Sequence, residues 1–383
     1  MHNDFRARVG ASLTLDDDTP CALVYDMALL RQRVQELQHA LPGFSHCFAL
    51  KAAPLPGIVQ ALAQEGMGFE AASTGEAIRA WVDAPGAPVL LDSPAKTRKD
   101  IAFAAERGWF MSANSMQELY RAGGKSAFLR VNTLVGSGSV AMTSVAVAGS
   151  QFGEPHDCVA LDVAVPGLHA HAGSAGMTLQ ALAENAKRLV SMAKERPQIT
   201  MLNIGGGVPA HASYEEYAQE LRRAAPELFE GRWRVFTEMG RSLTAATACA
   251  YSKVEYTKPG LAIAHFGADL AMRSVYRPHD WPAKLALLDA SFAPLCGATQ
   301  PIKIVGPLCF AGDTLGTLDA PQPHEGDVLE LQDAGAYTLS MWSHHCSRAL
   351  PSAYGLCPDK GLYLLGPKRS DASAAAFWGP LAH

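Results

Sequence analysis

Residues 46–73, HCFALKAAPLPGIVQALAQEGMGFEAAS, contain the repeating unit on which the fold depends. An apolar run at 46–52 is followed by LPGIVQALAQEG, whose apolar residues recur at helical spacing, and then by a second apolar run at 67–73. The runs have the length of strands, and the segment between them has the periodicity of a helix. A strand, a helix and a strand in this order predict two parallel strands joined by a crossover.

The same alternation continues along the chain. Six further apolar runs occupy 88–93, 109–114, 127–132, 167–173, 200–206 and 233–239, with helical patterns such as 97–108 and 178–195 between them. Eight units in about 200 residues predict an α/β fold, specifically a (β/α)8 TIM-like barrel.

The pattern changes after about residue 250. Short β-like runs at 250–257, 284–290, 302–306, 327–332 and 336–341 are separated by turn-forming residues. They predict a C-terminal, mostly antiparallel β domain. The expected domains are therefore 23–250 for the barrel, and 1–22 with 251–383 for the β domain.

Composition excludes several classes of partner. The net charge is −5, only 18% of residues are charged, and extended basic clusters are absent from the sequence. We therefore expect no nucleic-acid or membrane partner. The eight cysteines are scattered without a CxxC pair, and the sequence contains no signal-peptide-like or membrane-spanning apolar stretch. These features predict a cytoplasmic protein with reduced thiols.

Polar residues stand at the carboxyl ends of the predicted barrel strands, where barrel enzymes place their active sites. They are Lys51, Glu70, Asp92, Arg130, His171, Gly205, Gly206, Gly207 and Glu238.

Three motifs among these strand ends suggest ligands. The glycines of LNIGGGVPA (202–210) let backbone N–H groups approach an anion such as a phosphate. HAHAGS (169–174) places two histidines on one strand face, which also suits a metal-dependent barrel hydrolase. FTEMGRS (236–242) offers Glu238 to a heterocyclic nitrogen and Arg241 to a phosphate.

Lys51 supplies the remaining chemistry. A lysine shielded from water in a barrel, or placed near another cation, becomes a usable amine; an exposed strand-end lysine is the alternative. An amine for an aldehyde, an acid for a ring nitrogen and a phosphate cradle together describe one ligand, pyridoxal 5′-phosphate held as a Schiff base.

With these motifs the sequence resembles the fold-type III, pyridoxal-phosphate-dependent decarboxylases, which include ornithine and diaminopimelate decarboxylases. The resemblance runs from TPCALVYD near residue 19 to DAGAYTLSM, which ends at 341. It implies that Lys51 is the Schiff-base lysine, that His171 stacks on the cofactor ring, and that Cys309 in GPLCFAGD is catalytic. The resemblance further implies phosphate contacts from Ser174, Gly205, Gly206, Gly207, Arg241 and Tyr337, and a ring-nitrogen contact from Glu238.

The resemblance also implies a homodimer with shared active sites, in which the cysteine comes from the second subunit, and an amino-acid substrate. It gives no metal a role. Arg130 matches a supporting arginine beside the site, and Asp313 matches a position that the family usually keeps acidic. We expect both to contribute to binding the substrate.

The sequence departs from the family at the substrate end. Phe310 follows the cysteine where relatives carry an acidic residue that binds a distal amine. The segment GADLAMRSVYRPHDWP (267–282) resembles the siderophore-biosynthesis branch, and its Arg273 and Tyr276 would bind a carboxylate-rich substrate. We therefore expect a substrate with an acidic or bulky distal end, such as a citryl-diaminopropionate-like precursor.

Other functions stay open at this point. A diaminopimelate or basic amino-acid decarboxylase is the nearest alternative, and an amino-acid racemase would use the same architecture. A metal-dependent hydrolase and an inactive regulatory homologue belong to other functional classes.

Overall fold

The computed structural model describes residues 2–381, and within them the chain forms two compact units. One unit is Arg31–Leu243; the other combines Met1–Leu30 with Thr244–His383. The described chain begins with α1 (His2–Gly10) and β1 (Cys21–Asp26), which belong to the second unit, and α2 (Met27–Ala40) follows them. No helix among the described residues is both long and apolar enough to cross a bilayer.

The first unit contains the predicted closed barrel of parallel strands. Within residues 31–243 these strands pair in the order β2, β3, β4, β5, β6, β8, β9, β10, and β10 pairs again with β2. Their bounds are β2 (Ser45–Ala49), β3 (Gly68–Ala71), β4 (Val89–Leu91), β5 (Phe110–Ala113), β6 (Phe128–Asn132), β8 (Gly167–His169), β9 (Met201–Asn203) and β10 (Arg234–Met239); the short β7 (Glu154–Pro155) pairs only with β6. The (β/α)8 prediction is confirmed.

Helices connect most of the strands. They are α3 (Pro56–Gln64), α4 (Thr74–Asp83), α5 (Arg98–Glu106), α6 (Met116–Ala122), α7 (Leu179–Lys194), α8 (Tyr214–Ala224) and the short α9 (Arg241–Thr244). Several begin after a serine or threonine whose side-chain oxygen accepts a backbone N–H of the first turn, which satisfies an otherwise unpaired donor. These capping residues are Ser73, Thr97, Ser115, Thr178 and Ser213.

The barrel interior is apolar near the start of the strands and polar near their ends. The rings of Phe110, Phe128 and Phe236 contact one another with centroids 5.3–6.4 Å apart. Side chains alternate across a strand, so Glu238 lies on the same face of β10 as Phe236. The aromatic cluster therefore closes one end of the interior, and the polar strand-end residues lie at the other.

The second unit is a mostly antiparallel sheet, as predicted. Its strands pair in the order β15, β14, β12, β11, β1, β17, β18, and β16 joins β11 to β13. The bounds are β11 (Ala248–Lys258), β12 (Leu261–Ala264), β13 (Leu285–Leu288), β14 (Gln300–Val305), β15 (Thr314–Ala320), β16 (Val328–Leu331), β17 (Ser352–Cys357) and β18 (Gly361–Leu364), with helices α10 (Met272–Tyr276) and α11 (Asp371–Ala376).

Two local predictions differ from the structure. The predicted boundary between residues 22 and 23 assigns most of β1 to the barrel, but β1 pairs with β11 and β17 in the second sheet. The predicted strand at 336–341 is wrong. Tyr337 has a φ of 57° and Leu339–Met341 form a 3₁₀ turn, and neither is compatible with extended backbone.

Candidate active site

Lys51 lies immediately after β2, in the short 3₁₀ turn Leu50–Ala52. The backbone N–H of Ala53 donates to the carbonyl of Leu50 and closes this turn. The Lys51 side chain is 40% exposed, and its Nζ lies 2.6 Å from Oε2 of Glu70. The amine is therefore accessible to a ligand while it is held by a carboxylate on the neighbouring strand.

Glu70 is fully buried on β3, which pairs with β2 in parallel register. Burial raises the pKa of its carboxyl group, and the nearby Lys51 charge acts in the opposite direction. The Lys51 amine and the Glu70 carboxyl group, at the ends of two adjacent strands, are therefore joined by a hydrogen bond through which a proton can pass.

Asp92, which follows β4, and Arg130 on β6 form a buried ion pair, with Nη1 of Arg130 2.7 Å from Oδ2 of Asp92. Burial alone would raise the pKa of Asp92, but the charge of Arg130 and its other cationic neighbours holds it well below the usual value. The guanidinium of Arg130 also lies over the ring of Phe152, 4.7 Å from its centroid. Asp92 and Phe152 thus hold Arg130 among the strand-end residues, and its contribution to substrate binding stays a prediction.

Glu238 is buried near the end of β10. Asn203 on β9 donates a hydrogen bond of 2.7 Å to its Oε1. Burial and the charges of Glu70 and Asp92 raise the pKa of Glu238 to about 8. Without a positively charged partner the carboxyl group therefore keeps its proton near neutral pH, and a basic ring nitrogen placed beside it could take that proton.

The two histidines of HAHAGS occupy different environments. His169 ends β8, is fully buried, and has Nδ1 2.9 Å from Oγ of Ser112. His171 lies beyond the strand, and its Nδ1 accepts a 3.0 Å hydrogen bond from the N–H of Gly206. Burial and nearby cations lower the pKa of both, to about 3 for His169, so both rings are neutral.

The glycine motif permits close packing against these residues. A Cβ on Gly206 would lie 1.8 Å from the carbonyl oxygen of Glu238, and one on Gly205 would lie 2.6 Å from Nδ1 of His171. Gly207 has a φ of 93° and lies against the carbonyl of Gly173. The N–H groups of Gly205 and Gly206 donate to Asn203 and His171. Two of the three amides in the predicted phosphate cradle therefore already donate hydrogen bonds within the protein.

Arg241 and Ser174 lie in the same unit as these glycines. Arg241 begins α9, three residues after Glu238, and Ser174 follows the histidine motif. The N–H of Ser174 donates to the carbonyl of Thr143, which belongs to the long connection at 133–155. Residues 143–146 of that connection pair with 172–174, so it packs directly against the histidine motif.

The other predicted residues lie in the second unit. Nη2 of Arg273 donates to the carbonyls of Ala336 and Tyr337, and its guanidinium lies 5.1 Å from the centroid of the Tyr337 ring. Arg273 therefore fixes the segment that carries Tyr337. The predicted salt bridge from Arg273 to a substrate carboxylate stays a prediction.

Cys309, Phe310 and Asp313 belong to one loop. Cys309 is exposed, and the Phe310 ring stacks on Tyr276 with centroids 6.1 Å apart. Asp313, expected to bind substrate, is instead buried beneath the loop and accepts hydrogen bonds from the N–H groups of Ala268 and Leu308 at 2.6 and 2.8 Å. Its carboxylate holds the loop in place, because both oxygens are used by backbone donors.

A metal site would need several ligand atoms close together at the strand ends. Among the described residues, Asp92, His169 and Glu238 could present ligand atoms within 4.8 Å of one another, and all three are buried. His171 is not part of the group, and Arg130 already supplies a cation to Asp92. The strand-face HxH pair therefore does not form the metal site that its spacing suggested.

The residues that are present fit pyridoxal phosphate. An accessible amine, a buried acid with a raised pKa, a neutral imidazole of fixed orientation and a glycine segment that no larger residue could replace all lie in the barrel unit. Asn203 and Ser112 were not predicted as site residues, although they contact Glu238 and His169. In the sequence, each is marked only as a polar residue inside an apolar strand.

Comparison with known proteins agrees with this chemistry. The profile of the pyridoxal-dependent decarboxylase family, pyridoxal binding domain, matches residues 27–245. The diaminopimelate decarboxylase of Deinococcus radiodurans is 29% identical over 346 residues, which cover 87% of this chain and 89% of that protein. The diaminopimelate decarboxylase of Neisseria meningitidis serogroup A is 28% identical over 359 residues, covering 85% and 86%.

Solved structures show the same fold. The diaminopimelate decarboxylase of Helicobacter pylori, complexed with L-lysine, superposes with a TM-score of 0.81 at 21% identity, covering 94% of this chain and 96% of that one. The lysine/ornithine decarboxylase of Vibrio vulnificus, complexed with cadaverine, gives a TM-score of 0.75 at 21% identity, covering 88% and 94%.

The chain belongs to the pyridoxal-dependent decarboxylase family, whose profile matches more than half of its length. It is a carboxy-lyase that uses pyridoxal phosphate and acts on an amino acid. This result removes the support for a metal-dependent hydrolase.

Proposed function

We propose that the protein removes the α-carboxylate of a diamino acid of the diaminopimelate or basic amino-acid type. The observation that carries the proposal is the accessible Lys51 amine, 2.6 Å from Glu70 and in the same barrel unit as the buried acid Glu238. The curated relatives, which are diaminopimelate decarboxylases, support this choice of substrate.

The barrel residues would hold the cofactor as follows. Lys51 would bind its aldehyde carbon, Glu238 its ring nitrogen, and His171 would lie against its ring. When bound, pyridoxal phosphate supplies a carbonyl for the substrate amine and a ring that accepts the electron pair left by departing CO₂. Ser174, Gly207 and Arg241 are the proposed contacts of the phosphate, and the phosphate contact implied for Tyr337 stays a prediction. Gly205 and Gly206 remain proposed neighbours of the cofactor, although their amides donate within the protein.

The protein groups control where protons reside. Glu70 accepts a hydrogen bond from Lys51 and can take a proton as the amine becomes a nucleophile. Glu238 would face the protonated ring nitrogen as a carboxylate, and the proton that its raised pKa of about 8 lets it keep without the cofactor would be held by that nitrogen. Nδ1 of the neutral His171 ring accepts a hydrogen bond from the N–H of Gly206. The ring could therefore stack on the cofactor without adding charge beside it.

Cys309 is proposed to return a proton to Cα after CO₂ leaves. Its exposure on a loop held by Asp313 suits a residue that meets a substrate bound elsewhere. We propose that it acts on the site of a second subunit, in a homodimer with shared active sites.

A second substrate class is favoured by one observation. Phe310 carries no charge and stacks on the exposed ring of Tyr276, so this loop has no carboxylate at position 310 for a distal amine. A substrate with an acidic or bulky distal end, such as a citryl-diaminopropionate-like siderophore precursor, would suit this aromatic pair better than a free diamino acid.

A CO₂-release screen tests the function and distinguishes the substrates. Purified protein with added pyridoxal phosphate is given diaminopimelate, lysine, ornithine, arginine and a citrate-conjugated diaminopropionate. Lys51→Ala should abolish release, whereas Lys187→Ala, which removes an exposed lysine from α7, should not. Fastest release from diaminopimelate supports the first substrate class, and fastest release from the conjugate supports the second. If none of the substrates releases CO₂, the proposed function is wrong.

The shared site can be tested by mixing two inactive variants. Lys51→Ala and Cys309→Ala each damage every site, but a mixed dimer would contain one intact site. Random re-association should then recover about a quarter of wild-type activity, since half the dimers are mixed and each has one good site of two. Zero recovery, with exchange of subunits verified, would contradict the shared site.

A further inference from the structure

His169 has no role in the proposed chemistry, although it lies beside the acid on which that chemistry depends. Its Nε2 is 3.6 Å from Oε1 of Glu238. That distance is too long for a hydrogen bond, and Nε2 has no partner among residues 2–381. A fully buried ring nitrogen without a partner is costly and is rarely left without a reason.

Glu238 needs donors if it is to ionise. The nearby carboxyl groups of Glu70 and Asp92 raise the pKa of Glu238, because they oppose a negative charge on it. Asn203 provides one hydrogen bond to Oε1. Nε2 of His169 lies 3.6 Å from the same oxygen, and a side-chain shift of a few tenths of an ångström would make it a second donor.

Ser112 is placed to support the tautomer of His169 in which Nε2 carries the hydrogen. The imidazole is neutral, because burial and the neighbouring cations lower its pKa to about 3, so only one nitrogen is a donor. The hydroxyl of Ser112 lies 2.9 Å from Nδ1 and can donate to it. Nε2 then carries the hydrogen and faces Glu238.

We propose that His169 is a positioning residue that donates from Nε2 to Oε1 of Glu238 and stabilises the carboxylate that faces the cofactor's ring nitrogen. The proposal rests on the proposed role of Glu238. A neutral donor suits this task, because a lysine or arginine at the same position would bring a full positive charge that competes with the proton on the ring nitrogen.

The test measures cofactor binding by the apo-protein. The dissociation constant for pyridoxal phosphate is determined by absorbance titration between pH 6 and 9.5 for wild type and His169→Leu. Loss of a hydrogen bond to a charged group should weaken binding by about tenfold below the midpoint of the profile. It should also move the midpoint upward by about one pH unit. The ring-nitrogen signal of ¹⁵N-labelled cofactor should shift toward the unprotonated form.

The surrounding charges are unchanged in these variants. The titratable groups that act on Glu238 or His169 are Cys47, Lys51, Glu70, Asp92, Lys96, Arg130 and His171. Differences between the profiles of wild type and variant therefore arise from position 169.

Two further variants separate this role from a structural one. His169→Gln restores a donor near Nε2 and should recover most of the lost affinity. His46→Leu removes another buried neutral histidine of the same barrel, bonded to Thr237 and Leu41, and should leave the midpoint unchanged. An unchanged midpoint in His169→Leu, or no recovery in His169→Gln, would overturn the proposal.

Ser112→Ala provides the answer if His169→Leu does not fold. It should shift the midpoint in the same direction by a smaller amount, and no shift would overturn the proposal. A wild-type protein that binds no pyridoxal phosphate would instead refute the role of Glu238, and with it the proposed function.

Discussion

Replacement of Gly206 by alanine should disturb the active site through backbone contact alone. The new Cβ would lie 1.8 Å from the carbonyl oxygen of Glu238, whereas real Cβ atoms essentially never approach a neighbour within 3.0 Å. The backbone must therefore move by about 1.2 Å, the difference of these distances. The movement would displace either the end of β10, which carries Glu238, or the amide that orients His171.

The size of the effect follows from that displacement. Overpacking of this kind lowers the free energy of unfolding by about 1–3 kcal/mol. A misplacement of about 1 Å at a catalytic group reduces turnover by about 100-fold. We therefore expect Gly206→Ala to fold, with a lower urea midpoint, weaker pyridoxal phosphate binding and about 1% of wild-type CO₂ release.

Gly75→Ala is a matched control in the same unit. Gly75 lies in the first turn of α4, and a Cβ there would meet its nearest atom at 3.7 Å. Alanine at this position should be neutral or stabilising by up to about 1 kcal/mol. If Gly206→Ala retained wild-type cofactor occupancy, measured by absorbance near 420 nm, and wild-type turnover, the steric reasoning would be refuted.

Three further outcomes follow from the structure. Phe310→Glu should increase turnover of diaminopimelate or basic amino acids relative to a citrate conjugate, measured as the ratio of kcat/KM values; an unchanged ratio would show that position 310 does not contact the distal end. Glu238 has a raised pKa of about 8, so its contribution to apo-protein stability is complete below about pH 4.5 and is lost as the pH rises through 8. The Tm of the apo-protein should thus fall across that range and Glu238→Gln should flatten the fall; equal slopes would contradict the assignment. Asp313→Ala leaves two buried N–H groups without partners and should lower the free energy of unfolding by about 2–6 kcal/mol in urea titrations; a loss below 1 kcal/mol would show that the loop rearranges freely.

The barrel could be predicted from the sequence because its signal is local and repeated. Each strand is a short apolar run, and each following helix has its own periodicity and often a serine or threonine cap, as at Thr178 before α7. The strand-end position of Lys51 followed from that alternation. Sequence patterns of this kind also indicate which residues share the interior, because side chains alternate along a strand.

The contacts between strands could not be predicted in the same way. Glu238 is contacted by Asn203, and His169 lies between Glu238 and Ser112. These side chains come from four different strands, so the distances between them depend on the stagger of the barrel. Asp313 looked like a ligand for substrate because its motif is polar, but backbone N–H groups from two loops use both of its oxygens. The left-handed backbone at Tyr337 also interrupts, near its start, a segment whose composition is typical of a strand.

The pairing of β1 has a consequence for synthesis of the protein on the ribosome. This strand, CALVYD, is buried along its whole length, and its two partners begin at Ala248 and Ser352. More than 200 residues must be translated before either partner exists, which takes roughly 10–45 seconds at ordinary elongation rates. During that interval an apolar, hydrogen-bonding strand stays exposed while the barrel segment emerges. Slow elongation or a shortage of chaperones should therefore lead to aggregation of nascent chains through residues 21–26, long before the catalytic machinery is complete.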